Sequence, residues 1–166
     1  MGRRTAIVQL AAVATLAACT SFDAQTEMSI AAGDTDDFLT LVQPTLRDTC
    51  TSIDCHGHAE RPLRLYSLYG LRLDASLRNQ EESVEELEAN ILSLAALDPD
   101  NSPAQNLVVL KPLATFEGGI DHVGGDIWAD RNADGYRCLE AWLAGSIPGD
   151  ADGEQACASA PRVALP

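Results

Sequence analysis

Seven residues, Cys50-Thr51-Ser52-Ile53-Asp54-Cys55-His56, bring two thiols and an imidazole into one short loop. No other stretch constrains the fold as strongly, because the backbone here must keep both sulfurs and the ring within reach of one partner. Two close cysteines with a histidine directly after the second meet the requirement for covalent attachment of a c-type haem. The thiols take the two vinyl groups and the imidazole takes one face of the iron. The usual pattern is C-x-x-C-H; here four residues separate the cysteines, so the loop has to bulge outward. The same residues also suit a small disulfide loop between Cys50 and Cys55 or, with His58 added, a set of zinc-ligand types. Adjacent Cys55 and His56 are poorly spaced for one tetrahedron, and oxidising conditions favour disulfides over zinc thiolates.

The chain start sets the compartment. Met1-Gly2-Arg3-Arg4 is a short positive start, and the uncharged run Ala6 to Ala18 is too short to span a bilayer, so residues 1–18 read as a signal peptide. The run ends in Leu16-Ala17-Ala18-Cys19, which resembles the lipobox of bacterial lipoproteins, and that resemblance implies lipidation of Cys19. Thr20 rather than Asp after the cysteine implies the outer membrane: an exported lipoprotein on its periplasmic side or at the cell surface. Five cysteines can then be assigned. Cys19 takes the lipid, Cys50 and Cys55 take the haem, and Cys138 and Cys157 are left to pair; pairing Cys50 with Cys55 satisfies the same count.

Charge narrows the partners. Losing Arg3 and Arg4 with the signal peptide takes the formal charge from -14 to -16. Such acidity argues against nucleic acid and anionic lipid partners. It suits a basic redox partner, with membrane contact through the N-terminal lipid only, and it equally serves solubility.

Residues 19–35 are small, polar or acidic and read as a lipidated tether, and 36–166 as one domain. Phe38, Leu41 and Val42 share a helical face, with Asp36 or Asp37 as cap and Pro44 ending that turn or opening the next. Leu46 and Cys50 lie four apart, putting a short helical segment before the cysteine motif. Residues 62–71 read as loop with a turn of helix. From Glu81 to Leu97 a helix is expected, with Val84, Leu87, Ile91, Leu94 and Ala95 as its apolar stripe and Glu82, Glu85, Glu86 and Glu88 mostly off it. Leu107 to Leu113 fits a buried strand or a helical turn, and glycines 118, 119, 124 and 125 make the region of His122 an open loop. A last helix from about Asn132 to Ala144 carries Tyr136, Leu139, Trp142 and Leu143 on one face, and Pro148 begins a tail stapled back through Cys157.

Taken in order, Phe38…Pro44-Thr45-Leu46, the cysteine motif, Leu107 to Pro112, His122-Val123-Gly124-Gly125 and Tyr136…Trp142-Leu143-Ala144-Gly145 resemble a cytochrome c domain. More narrowly, the pattern resembles the cytochrome c-like domains of exported proteins in planctomycetes and myxobacteria, across about Phe38 to Gly145. This implies a mainly α fold, a small helical domain with long loops around one covalent haem c, serving as an electron carrier rather than a catalyst. The four-residue spacer, the long stretch from Asn79 to Leu97 and the Cys138/Cys157 pair depart from that pattern.

His56 is the expected proximal iron ligand, and the opposite face needs a second group. Met28 lies upstream in the tether, His58 is too close to His56 to reach around the haem, and Lys111 would have to shed its proton. His122 is far enough along the chain, in a loop whose glycines allow close approach to a flat cofactor, and is the expected distal ligand. The alternative is a cofactor-free, disulfide-stapled lipoprotein that binds a partner, with the zinc module of Cys50, Cys55, His56 and His58 behind it. No G-x-S-x-G or H-E-x-x-H supports a hydrolase.

Overall fold

Pro44 has no amide hydrogen and its ring crowds the carbonyl of Thr40, so a regular α-helix cannot run through it. The chain nevertheless neither stops nor restarts there; it widens. In the computed structural model, which describes residues 35–97 and 102–160, the segments Thr35–Asp37, Phe38–Val42 and Gln43–Thr49 follow one another directly. The middle one is a π-turn, closed by the Gln43 N–H on the Phe38 carbonyl. Residues 35–49 are α1. Asp36 and Asp37 therefore lie inside the helix, and Asp37 makes no side-chain cap. Cys19, Met28, the signal segment and nearly all of the tether lie outside the described residues.

Phe38, Val42 and Leu46 are fully buried on one face of α1, as their spacing predicts, and Leu41 packs at its edge. They meet α2 (Val84–Ala95), α4 (Asp134–Leu143) and α5 (Ala151–Ser159) in a single core. Trp142 of α4 sets its ring 5.1 Å from that of Phe38, although its indole N–H finds no acceptor among the described residues. Leu107–Leu110 is the helical turn of the two expected alternatives and forms α3, capped by the Asn106 side chain on the Val108 N–H.

The last stretch is more ordered than a stapled tail. It forms the nine-residue helix α5, started by the Asp150 side chain on the Asp152 N–H. Gly153 allows it to lie close on α4, since a Cβ there would stand 2.8 Å from both Ala141 Cβ and Ile147 Cγ2. The expected Cys138–Cys157 disulfide joins the two helices, and the Thr45 hydroxyl of α1 lies 3.9 Å from the Cys138 sulfur.

α2 corrects the amphipathic reading of its sequence. Leu87, Ile91 and Leu94 are buried as expected, but Val84 is 56 % exposed. Glu82 and Glu86, expected off the apolar stripe, have side chains with no exposure at all. Glu86 closes a capping box with Ser83, accepts Nε and Nη2 of Arg72 at 2.9 and 2.6 Å, and accepts the Leu73 N–H at 2.8 Å. Glu82 takes Arg47, Gln43 and the Leu68 N–H. A charge-only pattern assigns these glutamates to solvent, whereas a buried bidentate partner makes burial tolerable.

These side chains carry the long connection from the cysteine motif to α2. The described residues contain no strand, and the pairings Tyr66↔Leu71 and Leu113↔Trp128 are isolated bridges. Residues 62–71 contain no helical turn either; the turn falls later, at Ala75–Leu77. Asn90 of α2 instead behaves as a strand neighbour, accepting the Tyr66 N–H at 2.7 Å and donating to the Tyr66 carbonyl at 2.8 Å. Arg72, its side chain 3 % exposed, also donates to the carbonyls of Leu77, Gln80 and Glu81. No helix among the described residues is long and apolar enough to cross a membrane.

Burial disfavours charge on Glu82 and Glu86, but the arginine and backbone N–H bonds outweigh it and hold both below the usual carboxylate range. Their contribution is full above the unfolded glutamate value of about 4.3 and is lost as pH falls through the depressed folded values. Glu86→Gln should cost about 3–5 kcal/mol at pH 7, the penalty of a buried pair missing one partner, and should flatten the acid limb of a plot of Tm against pH. Cys157→Ala should cost about 2–4 kcal/mol in chemical denaturation, as expected for a short disulfide-closed loop.

Candidate functional site

Cys50 ends α1, buried, with its N–H on the Leu46 carbonyl. The chain then turns back on itself: Cys55 N–H and Gly57 N–H both donate to Ser52 O, and His56 N–H returns to Cys50 O at 3.0 Å. This is the outward bulge expected of a four-residue spacer, and it leaves Ile53 61 % exposed at its tip. Cys50 and Cys55 are both free thiols. Burial pushes the Cys50 thiol up to about 11, against the Thr49 hydroxyl and with a small push from Cys55, so it is neutral at pH 7.

Two glycines hold the bulge in place. Gly57 and Gly70 cross over the Thr51 carbonyl so closely that a Cβ on either would stand 2.0 or 2.2 Å from that oxygen. The chain after the motif then passes alongside, and the Leu65 N–H donates to the His56 carbonyl at 2.9 Å. Behind this crossing stands the Asn90, Glu82 and Glu86 clamp on residues 66–73.

The other half of the site comes from the loop between α3 and α4. Its base is clasped by Ile120 N–H on Leu110 O, Ile127 and Trp128 N–H on Pro112 O, and Ala114 N–H on Trp128 O. Trp128 packs edge-on to Tyr136 at 5.9 Å and so close to Gly135 that a Cβ there would meet its Nε1 at 2.5 Å. At the tip, Gly125 adopts φ +77° and returns its N–H to the His122 carbonyl, while Gly124 lies under the His122 ring, 2.8 Å from Cε1 if it carried a Cβ. The glycines of this loop therefore make room first for the histidine itself.

These two segments bring His56 and His122 together. Their rings stand 6.0 Å apart, centroid to centroid, with planes within 10° of parallel. His56 Nδ1 lies 3.1 Å from the Leu63 carbonyl and His122 Nδ1 lies 3.2 Å from the Gly125 carbonyl. A carbonyl only accepts, so in both rings Nδ1 carries a hydrogen and Nε2 is the nitrogen not engaged by that carbonyl. Burial lowers the His56 pKa against its bond to Leu63, with His122 and Arg61 pushing the same way, which keeps that ring neutral at pH 7. The 6.0 Å between the ring centroids leaves room for a metal ion that both imidazoles could hold, at the usual metal–nitrogen distance of about 2.0–2.1 Å.

The remaining candidates fall away from this pair. His58 is exposed and its Nδ1 accepts the Glu60 N–H. Lys111 donates its Nζ to the Asp121 carbonyl at 2.9 Å, bracing the loop that carries His122. Cys50, Cys55, His56 and His58 do not gather as a multi-ligand metal group: no cluster of three or more His, Cys, Asp or Glu residues suited to a metal ion occurs among the described residues. A cleft of about 440 Å³ beside α4 and α5 is lined by Arg137, Glu140 and Asp150 and contains neither cysteine nor histidine.

Sequence reading had no signal for Lys111 as a brace, nor for Gly57, Gly70, Trp128 and Gly135 as the packing that aims the two rings. No protein-family model, curated protein or solved structure matches the chain. Gly57→Ala should destabilise the protein by about 1–3 kcal/mol or more, because its methyl group meets backbone that cannot yield. Amide exchange at Cys55, His56 and Leu65 should speed up in that variant more than in the α4–α5 unit.

Proposed function

We propose that the protein is a monohaem c-type cytochrome that carries electrons, with the haem held covalently by Cys50 and Cys55 and its iron bound by His56 and His122. The observation that carries this reading is the imidazole pair: two near-parallel rings at 6.0 Å, each with Nδ1 committed to a carbonyl and Nε2 left as the donor atom. One of those rings directly follows the second of two free thiols. A two-ligand site of this kind needs no further carboxylate or thiolate around the metal.

The surroundings suit a flat apolar cofactor. Ile53 sits exposed between the cysteines, and Ile120, Val123 and Ile127, all exposed, flank His122 along the chain. Large apolar side chains left in water around one candidate site mark a place where an apolar partner is bound. When bound, the haem supplies reversible one-electron chemistry at its iron. His56 and His122 would hold the iron through Nε2, with the Leu63 and Gly125 carbonyls engaging Nδ1 of each ring. Two imidazoles give a lower potential than an imidazole with a thioether. The cytochrome c-like fold, the lipid anchor at Cys19 and the outer-membrane location belong to the same proposal. So does a basic redox partner, which the acidic charge of the chain favours.

Production of the full chain with a haem-maturation system tests the reading. A pyridine-haemochrome spectrum should show covalent haem, and replacing either Cys50 or Cys55 with Ala should shift its α-band to that of a single thioether. His122→Ala should convert a low-spin spectrum to high-spin. Absence of covalent haem would reject the cytochrome and leave the cofactor-free, disulfide-stapled module.

A further inference from the structure

We infer that His122 is the exchangeable one of the two histidines, latched by Lys111, and that release of this latch admits a small neutral diatomic ligand to the iron; the inference rests on the haem reading above. The two rings are held very differently. His56 is fixed through its N–H to Cys50 O, its carbonyl to Leu65 N–H and its ring to Leu63 O, and it is followed by Gly57 wedged against Thr51. Moving it means dismantling the buried crossing and the clamp behind it. His122 stands at the tip of an excursion whose backbone ties lie at the base, at Ile120 and Ile127. Its ring is held by a carbonyl of its own turn, and the neighbouring Asp121, Val123, Gly124, Gly125 and Asp126 are all exposed. Val123 is 97 % exposed.

Lys111 reaches into this tip from outside. Its Nζ donates to the carbonyl of Asp121, the residue immediately before His122. The bond joins the end of α3 to the loop at the point where a small backbone rotation would swing the imidazole away. A tip of this kind opens locally without unfolding the helices, because little buried surface is lost. The exchange is balanced: the bond from His122 Nε2 to iron breaks with its electron pair remaining on nitrogen, the incoming ligand's lone pair forms the replacement, and no electron or proton is transferred.

Charge and polarity select the ligand. Against 11 basic residues the chain carries 25 acidic ones, so an anion approaching Asp121 and Asp126 is repelled. Ile120, Val123 and Ile127 give the opened tip an apolar lining that favours an uncharged diatomic. In the latched state the protein is a closed two-histidine carrier; in the unlatched state it is a ligand-binding one.

Carbon monoxide is the probe, mixed with the dithionite-reduced, haem-loaded full chain. Binding should proceed at a rate that reaches a plateau as CO is raised, the plateau reporting departure of His122. Lys111→Met should raise that plateau about fivefold to tenfold, the effect of losing one charge-assisted hydrogen bond at a partly exposed site. Lys111→Arg should restore it, and His122→Ala should remove the plateau altogether. Covalent haem by pyridine haemochrome with no CO binding, or with the same plateau in Lys111→Met, would overturn the latch while leaving the cytochrome. A negative haemochrome would instead overturn the cytochrome, and the latch with it.

Discussion

Backbone hydrogen-bond supply governs this molecule. Between His56 and Ser83 the chain runs with neither a strand nor an α-helix, yet Leu65 and Ser67 along it are fully buried. Burying such a segment is ruinous unless its N–H and C=O groups find partners. Side chains of α2 and of the turn leading into it supply them: Asn90 pairs with both polar groups of Tyr66, Glu86 receives the Leu73 N–H, and Glu82, just ahead of the helix, receives the Leu68 N–H. Arg72 then satisfies three carbonyls of the returning chain. Residues that usually face water, on one helix and in the chain leading into it, take the place of a neighbouring strand.

The imidazole pair depends on that arrangement. His56 is placed by a backbone crossing at Gly57, Gly70 and Thr51, and the crossing stays closed because the segment beyond it is clamped to α2. His122 arrives from the other side on a loop rooted in α3 and α4, with Trp128 pressed onto Gly135 as its anchor. The pairing of a rigid ring with one on a tip that makes few long-range contacts is a consequence of these two supports. It needs no special sequence at the histidines themselves.

Parts of this were legible from residue pattern. The apolar spacing of Phe38, Val42 and Leu46, the stripe Leu87, Ile91 and Leu94, and the face of Tyr136, Leu139 and Trp142 all appear where helical period places them. The odd cysteine count pointed to Cys138 with Cys157, and they are joined. His122 and His56, 66 residues apart in the chain, stand with ring centroids 6.0 Å apart. Pattern misled where polarity stood in for position. Val84 belongs to the apolar repeat and lies in solvent, while Glu82 and Glu86 belong to the acidic face and lie inside. The difference is made by Arg47 and Arg72, which are 35 and 14 residues away in the chain. The segment Ala151–Ser159 reads as a polar tail because Gly153 and its acids weaken any helical signal; packing on Ala141 and the disulfide make it a helix.

Local chemistry along the chain was enough to specify the helices' apolar faces, the turn that exposes Ile53, and the presence of two thiols and an imidazole in one loop. These follow from neighbours a few residues apart, whose interactions the chain cannot avoid. The placing of the His122 ring beside that of His56, the burial of two glutamates and the passage of Gly57 over Thr51 depend on groups far apart in sequence. Their free energies exist once the helices have packed, because a buried charge or a bare glycine contact is favourable solely in the presence of the surface that meets it. The two thiols and two imidazoles are written in the residues; their arrangement belongs to the packed fold.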